Sequence, residues 1–178
     1  MTLPFLRPSA RTVLRPLALS DAPALHAAYG DEEVCTYWSR RAYASLDETT
    51  GAVAWEIANG ASWVILDALQ GDASEAVGRI SLFFKGRDGV LEVGVILARA
   101  AWGRGFAADA LEAVVAHGFE ALGAHRIFAD VDPDNAASLR LFERTGFVRE
   151  GLHRHTWRTH LGLRDSVILA RFPKESTP

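Results

Sequence analysis

Apolar residues recur with two different periods along the chain, and these periods separate predicted strands from predicted helices. Short apolar runs with β-branched residues, bounded by turn residues, are typical of strands. The clearest example is Leu91–Leu97, which reads Leu-Glu-Val-Gly-Val-Ile-Leu. The same pattern predicts strands at Thr12–Leu17, Ser62–Asp67, Ala76–Phe84, His125–Val131, Phe147–Trp157 and Asp165–Phe172.

Helices are predicted where apolar residues repeat at spacings of three and four. In the longest case the repeat runs from Ala107 to Leu122, and Gly123 ends the helix. Asp31–Trp38 is expected to add one short helical turn. Three further helices are predicted: one capped by Ser20 or Asp21 and broken at Gly30, one at Ser45–Asn59 before Gly60, and one at Asn135–Thr145 closed by Gly146.

The order of these elements predicts an α/β (α+β) fold with one mixed, mostly antiparallel sheet and helices on both faces. Turn-forming residues cluster at Gln70–Ser74 and Lys85–Gly89, between consecutive strands. No repeat or break in composition divides the sequence. The 178 residues are therefore expected to form one domain, with a core from about 11 to 172 and a loose tail at Pro173–Pro178.

The loop between the strand at Leu91–Leu97 and the next helix contains the run Trp102-Gly-Arg-Gly-Phe-Ala107. Gly103 and Gly105 carry no Cβ, so the backbone can turn and its N–H groups can point together at one ligand. The first helical turn adds unpaired N–H groups and the positive end of the helix dipole, which favour a phosphate. The residues predict an anion-binding loop, with a simple strand–helix turn as the alternative.

Two common phosphate-binding loops fit this segment poorly. A dinucleotide-binding loop would have its third glycine at the position of Ala108, although alanine is an occasional substitute there. A nucleoside-triphosphate loop requires Gly-Lys-Ser/Thr, which does not follow these glycines.

Composition and charge narrow the class of protein further. A hydrophobic fraction of 49% and a charged fraction of 23% are ordinary for a soluble globular chain. A net charge of −3 gives no reason to expect a nucleic-acid partner, and no apolar run reaches membrane-spanning length. The single Cys35 can form neither an internal disulfide nor a cysteine-pair metal site. We therefore expect a reducing, cytoplasmic setting and no bound metal.

Several motifs together resemble the GNAT superfamily of N-acetyltransferases. The run Trp102–Ala107 is similar to its acetyl-CoA pyrophosphate loop, commonly Gln/Arg-x-x-Gly-x-Gly/Ala, in which Gly105 and Ala107 match and Trp102 departs at the first place. A tryptophan there resembles one subgroup, the ribosomal-protein N-terminal (RimJ/RimL-like) acetyltransferases. Similarity to that subgroup also covers Asn135–Phe147 with Glu150, Gly151 and Arg154, and Arg15–Leu17 with Asp21, Tyr37 and Trp38.

The resemblance implies that acetyl-CoA lies between two splayed neighbouring strands, where an amine attacks its thioester directly. Backbone groups at Val95–Leu97 are then expected to face the pantetheine and the thioester carbonyl, where donors stabilise developing charge. Gly94 is expected to mark a bulge or a close backbone approach. The expected cofactor contacts are Val95, Ile96, Leu97, Trp102, Gly103, Arg104, Gly105, Phe106, Ala107, Asn135, Ser138 and Phe142.

Attack requires a neutral amine, and this requirement makes Glu92 the candidate general base. At pH 7, reaching the neutral form costs about 1.4 kcal/mol for an α-amine and about 4.6 kcal/mol for a lysine. An α-amine therefore needs only modest help. Because side chains alternate between the two faces of a strand, Glu92 shares a face with Gly94 and Ile96. We expect Glu92 to act as a base through a water molecule. The alternative is an exposed strand carboxylate without a catalytic role.

Ser138 is the candidate for assisting the departing thiolate. Many superfamily members have a tyrosine at the position of Phe142, which has no hydroxyl, and Ser138 resembles the replacement found in the subgroup. Because a thiol with a pKa near 8.5 is a fair leaving group, a hydrogen bond would suffice. Asn135 lies on the same helix face and is expected to hold the cofactor or a water. The alternatives are a helix cap for Asn135 and an incidental serine.

The sequence leaves the acceptor open. Tyr37 and Trp38 are expected either to contact the substrate or only to pack in the core. The leading hypothesis is an acetyl-CoA-dependent N-acetyltransferase acting on a primary amine such as a protein N-terminus, with a homodimer as an open option. One alternative is a CoA-binding sensor or partner-binding module with little turnover.

Another alternative is a small-molecule acetyltransferase for antibiotics or polyamines, which an acidic pocket would favour. The sequence does not place the acidic residues Asp31, Glu32, Glu33 and Asp47 relative to the thioester. A basic cluster near the last hairpin is typical of a solvated face rather than a metal site. Its members are His153, His155, Arg158, His160 and Arg164.

Overall fold

The apolar runs of the chain fold into the strands of one sheet. The computed structural model describes residues 3–69 and 76–173. Its strands are β1 (Thr12–Pro16), β2 (Gly60–Asp67), β3 (Ala76–Phe84), β4 (Val90–Leu97), β5 (Arg126–Val131), β6 (Val148–Thr159) and β7 (Gly162–Arg171). They lie in the order β1-β2-β3-β4-β5-β7-β6, and every neighbouring pair is antiparallel except β4 and β5. The mixed, mostly antiparallel sheet is confirmed.

Helices form where the apolar repeats and caps predict them: α1 (Ala22–Tyr29), α2 (Leu46–Asn59), α3 (Phe106–Glu120) and α4 (Ala136–Arg144). Ser45 caps α2, since its Oγ accepts from the Glu48 N–H at 3.2 Å. The cap expected for α1 is wrong, because no side chain bonds its first turn. Asp21 instead accepts from the Ala18 N–H at 2.9 Å and pairs with Arg15.

The helices cover both faces of the sheet, as expected. On one face, α3 and α4 pack over a core that includes Leu111, Val114 and Ile127. On the other face, α1 and α2 pack over a smaller core with Val53 and Ile96. Successive residues of β4 therefore serve two different environments, one beneath α3 and one beneath α1 and α2.

The segment after α1 contains the short helical turn that the sequence predicts. Residues 32–37 form turns, and the Cys35 N–H donates to the Asp31 carbonyl at 3.0 Å, which is the expected helical turn. The turn predicted at Gln70–Ser74 lies outside the described residues, as does the tail beyond residue 173. In the described ranges, no helix combines the length and apolar character that a bilayer crossing requires.

The two parallel strands pair over only a short stretch. Val90, Leu91 and Glu92 of β4 lie opposite Arg126, Ile127 and Phe128 of β5. Beyond these pairs β4 runs on to residue 97 and β5 to residue 131, each held only by its antiparallel neighbour, β3 or β7. The facing edges are therefore unpaired toward the carboxyl ends of both strands, where α3 and α4 begin.

Candidate active site

The loop after β4 has the backbone of an anion site. It passes through a 3₁₀ turn at Arg99–Ala101 and then through Gly103 and Gly105, whose φ angles are +70° and +92°. A Cβ built on either glycine would meet no atom within 4 Å, so the space above the loop is open. In the described chain, no acceptor pairs with the amide N–H groups of residues 103–108. These donors and the α3 dipole suit a diphosphate.

Two carboxylates missed by the sequence reasoning fix this loop against the sheet. Asp67, only 1% exposed at the end of β2, receives the Arg104 guanidinium at 2.6 Å. Asp109, in the first turn of α3, accepts hydrogen bonds from the hydroxyls of Ser9 at 2.6 Å and Thr12 at 2.7 Å. An acidic residue in a first helical turn was the available signal for Asp109. No local sequence signal indicated that Asp67 would form an ion pair with Arg104.

The side chains of the loop have different surroundings. The Trp102 indole N–H donates to the Leu97 carbonyl at 3.1 Å, and its ring is 44% exposed. Phe106 is fully buried, with the Arg104 guanidinium 5.0 Å from its ring centre. The Arg104 and Phe106 side chains are thus engaged within the protein. A cofactor contact from these two residues is expected from their backbone N–H groups.

The backbone of β4 presents only alternate residues to the open edge. The Ala98 N–H pairs with the Val77 carbonyl at 2.9 Å, which fixes the phase of the β3–β4 ladder. By alternation, Val95 and Leu97 direct their N–H and C=O groups toward the gap beside β5. Ile96, opposite Arg79, belongs to the β3 ladder. Its backbone is therefore turned away from the gap, which corrects the expectation for this residue.

Two side chains of β3 pack closely against β4 at Gly94. The register of β3 and β4 runs without a shift, so the bulge considered for this glycine is absent. A Cβ here would lie 3.3 Å from both Arg79 Nη1 and Phe83 Cε2. The Arg79 guanidinium also donates to the Gly94 carbonyl at 2.9 Å. A larger residue would displace both side chains from β4.

The start of α4 stands at the other side of the gap. Asn135 caps this helix, since its Oδ1 accepts from the Ser138 N–H at 3.1 Å. Ser138 is half-buried in the first turn of the helix. Phe142 is 3% exposed and packs edge-on against Phe147 at 5.1 Å between ring centres. The Phe142 ring packs in the hydrophobic core. Its expected contact with the cofactor stays a prediction.

A cavity of about 240 Å³ opens on the face of the sheet opposite α3, and three of the candidate site residues predicted from the sequence line it. Glu92 lies at its wall with Tyr37 and Trp38. The Glu92 carboxylate is paired with the Lys85 ammonium at 2.6 Å. The candidate base therefore forms an ion pair and shares the cavity wall with both aromatic side chains.

A buried network beneath this cavity was missed by the sequence reasoning. Arg79, 5% exposed, donates to the Tyr29 hydroxyl oxygen and pairs with Glu56, both at 2.8 Å. Burial would lower the pKa of Arg79, but the Glu56 carboxylate and the Tyr29 oxygen outweigh it and raise that pKa. Burial also raises the pKa of Tyr29, so its hydroxyl stays neutral and donates to Glu56. The apolar pattern of β3 gave no sign of this network.

The cavity wall is acidic and aromatic, but it includes none of Asp31, Glu32, Glu33 and Asp47, the acidic residues that the sequence could not place. Asp31 and Glu33 pair with Arg99 instead. The wall includes Phe83, Asp130, Asp132, Trp157, Arg164, Asp165 and Ser166. These residues lie on four strands or just beyond their ends, so no short sequence motif joins them.

Two of the cavity carboxylates have lowered pKa values. Burial would raise the pKa of Asp132, but hydrogen bonds from Arg164 at 2.7 and 2.8 Å lower it. For Asp165 the largest cause is the hydrogen bond from the His155 N–H at 2.9 Å, which lowers the pKa; burial opposes it, and a hydrogen bond from Arg154 lowers the pKa further. Both side chains therefore remain carboxylates at neutral pH.

The basic cluster near the last hairpin contains no metal site. Across residues 3–69 and 76–173, no three His, Cys, Asp or Glu side chains come together as ligands. His155 has a φ of +51° and uses its N–H for Asp165. Arg164 forms ion pairs with Asp132 and Asp134.

Comparison with known proteins identifies the family. Residues 11–148 match the family described as an acetyltransferase (GNAT) domain. The uncharacterized N-acetyltransferase YoaA of Bacillus subtilis (strain 168) is 34% identical over 152 residues, which is 81% of this chain and 83% of that protein.

Two solved structures show how far the fold is shared. The acetyltransferase of Salmonella typhimurium that modifies the N-terminal serine of 50S ribosomal subunit protein L7/L12 has a TM-score of 0.83 at 21% identity, covering 96% of this chain and 100% of that chain. Spermidine N-acetyltransferase from Vibrio cholerae, in complex with CoA and spermine, has a TM-score of 0.79 at 23% identity, covering 92% and 96%. The expected fold is confirmed. The chain belongs to the GNAT family of N-acetyltransferases and uses acetyl-CoA as its co-substrate.

Proposed function

We propose that this enzyme transfers the acetyl group of acetyl-CoA directly to a primary amine, and that the acceptor is the α-amine of a peptide or protein. The single observation that carries the proposal is the unpaired stretch between β4 and β5. It joins the open amide donors before α3 to the cavity that contains Glu92. A diphosphate held at the loop would leave the acyl end of the same molecule between the two strands.

The residues around the gap have three different roles in the proposed reaction. In this proposal the N–H groups of Val95 and Leu97 stabilise charge on the thioester oxygen. Glu92 accepts the proton of the incoming amine through a water. Ser138 donates a hydrogen bond to the departing thiolate, a role for which Phe142 has no hydroxyl. No covalent acyl-enzyme is needed, because the amine itself attacks the thioester.

The α-amine is favoured over a lysine side chain by the cost of neutralising the nucleophile. Its pKa of about 7.7–8.0 leaves a substantial neutral fraction at pH 7, whereas a lysine near 10.4 leaves less than about one part in a thousand. One half-buried carboxylate that already pairs with Lys85 is suited to the smaller task. The Salmonella enzyme with the same fold acts on an N-terminal serine, which is consistent with this choice.

A panel of acceptors tests the proposal. The enzyme is mixed with acetyl-CoA and, in turn, a seryl peptide with a free α-amine, its N-acetylated form, a lysine-containing capped peptide, spermidine and an aminoglycoside. Thiol release is followed with a chromogenic reagent. Release with the free α-amine peptide and none with its capped form is expected.

Other outcomes of the panel would overturn specific parts of the proposal. Binding of acetyl-CoA without release for any amine would identify a CoA sensor with little turnover. Preferred release with spermidine or the aminoglycoside would instead identify a small-molecule acetyltransferase, a second candidate that the acidic cavity wall brings into consideration.

A further inference from the structure

Most carboxylates in the cavity are already neutralised by the protein itself. Glu92 pairs with Lys85 at 2.6 Å. Asp132 is held by Arg164 at 2.7 Å, and Asp165 by Arg154 at 2.9 Å. A ligand cation at any of these three carboxylates would have to compete with a cation of the protein, so fewer carboxylates are open to a ligand than line the cavity.

Asp130 is the exception among the described residues. Its carboxylate lies at the cavity wall and has no ion-pair partner in the described chain. Its Oδ2 accepts only the Trp157 indole N–H, at 3.0 Å. Asp130 stands two residues beyond Phe128, the last residue of β5 that pairs with β4, and therefore borders the unpaired gap. A carboxylate beside an aromatic wall is suited to one ammonium group.

Ser166 supplies a second, independent observation at the same wall. It is fully buried on β7, lines the cavity, and its Oγ has no hydrogen-bond partner in the described chain. Buried hydroxyls are normally paired, because an unpaired one loses its hydration without compensation. Asp130 lies opposite Ile168, and Ser166 is two residues from Ile168 along β7. The side chains of Asp130 and Ser166 therefore point to the same face of the sheet.

We propose that Asp130 and Ser166 form the subsite that recognises the acceptor, and that they select an amine with one positive charge and a neutral hydrogen-bonding group beside it. Asp130 binds the ammonium group as it arrives. Ser166 pairs with the adjacent neutral group, for which the amide or hydroxyl next to a peptide α-amine is the matching chemistry. This inference rests on the proposed acetyl transfer and names the substrate class of that same site.

The charge pattern argues against a polyamine in this subsite. A polyamine carries several ammonium groups along an apolar chain and has no neutral hydrogen-bonding group. Its further charges would face carboxylates that already hold Lys85, Arg164 and Arg154. It would also leave the Ser166 hydroxyl beside methylene groups.

Steady-state kinetics on two variants test the subsite, with serinamide, propylamine and spermidine as acceptors. Asp130→Asn keeps the shape but removes the charge, and we expect it to raise KM for serinamide about tenfold or more. The Kd for acetyl-CoA should change less than about twofold. Ser166→Ala should raise KM for serinamide but leave that for propylamine unchanged, since propylamine lacks the neutral group. Asp47→Asn on the outside of α2 is the matched control and should behave as wild type.

Three results would overturn the inference: an unchanged serinamide KM in Asp130→Asn, equal effects of Ser166→Ala on serinamide and propylamine, or a larger kcat/KM for spermidine than for serinamide. If no amine releases thiol, the proposed acetyl transfer fails separately. Calorimetric titration of serinamide into the CoA-loaded protein then decides the subsite. Weaker binding by Asp130→Asn, with an unchanged circular dichroism melt, supports it, and equal binding refutes it.

Discussion

The ammonium of Lys85 lies 2.6 Å from the carboxylate of Glu92, across the turn that joins β3 to β4. Both side chains are partly exposed, and ion pairs of this kind contribute roughly 0.2–1 kcal/mol. Water or an incoming amine can therefore displace Lys85 at small cost. The pair orients the Glu92 side chain, which remains at the cavity wall.

Glu92→Gln should slow acetyl transfer by about 10²-fold, the lower end of the range for general base catalysis. The loss should be larger at pH 6 than at pH 8.5, because at low pH more of the acceptor amine needs to lose a proton. Rate profiles of kcat/KM against pH for the peptide acceptor measure this. Lys85→Met retains the carboxylate and should stay within about threefold of wild type. Identical pH profiles for Glu92→Gln and wild type would remove Glu92 from the base role.

Gly105→Val should abolish measurable acetyl-CoA binding in equilibrium titration. The side chain would occupy the open space above the loop and strain a backbone with φ of +92°. Gly86→Val is the matched control, since Gly86 has φ of +69° and equally open surroundings in the turn at the other end of β4. It should lose stability but keep affinity. Near-normal binding by Gly105→Val would refute the loop as the diphosphate site.

Ser138→Ala should reduce kcat by about tenfold, as expected for loss of one hydrogen bond to a charged group. The Kd for acetyl-CoA should change less than about twofold, because the thiolate exists only after attack. Thr50→Ala, which removes a hydroxyl bonded within α2, controls for the loss of a helix hydroxyl. Equal losses in kcat and in acetyl-CoA affinity would show a purely structural serine.

His117 should make the fold less stable under mildly acidic conditions. Burial lowers its pKa from 6.5, against a smaller opposing effect of Glu120. The unfolded chain therefore binds the proton more readily, so stability present above pH 6.5 is lost as the pH falls through and below that value. Between pH 7.5 and 5.5, the melting temperature of wild type should fall more than that of His117→Gln. His153→Gln, at an exposed position on β6, should keep the wild-type difference. Equal falls in wild type and His117→Gln would contradict the prediction.

The strands and helices were predictable because each has a local signal. Apolar period, Ser45 and Asn135 as caps, and the terminating glycines all act within a few residues. The missing cap on α1 shows the limit of such signals, since Asp21 serves Arg15 and the Ala18 N–H instead. That choice depends on how β1 approaches the helix, which no local pattern records.

The site was predictable in part for the same reason. Gly103 and Gly105 lie in one loop, so their sequence alone indicates converging amides. Asp130 and Ser166 line one cavity only because β7 pairs with β5, and the pairing of strands that far apart in the sequence follows from tertiary packing. The resemblance to known acetyltransferases supplied the roles of Glu92 and Ser138, which no spacing rule would assign.

Three residue pairs are all that join β4 to β5, and they divide the sheet into two antiparallel blocks. The block from β1 to β4 carries the diphosphate loop and Glu92, whereas the block of β5, β7 and β6 carries Asp130 and Ser166. Substitutions at Asp130 or Ser166 would therefore leave the residues of the loop before α3 unchanged. If Asp130 and Ser166 form the acceptor subsite, as we propose, the choice of amine can then change while the loop expected to bind the acyl donor stays the same.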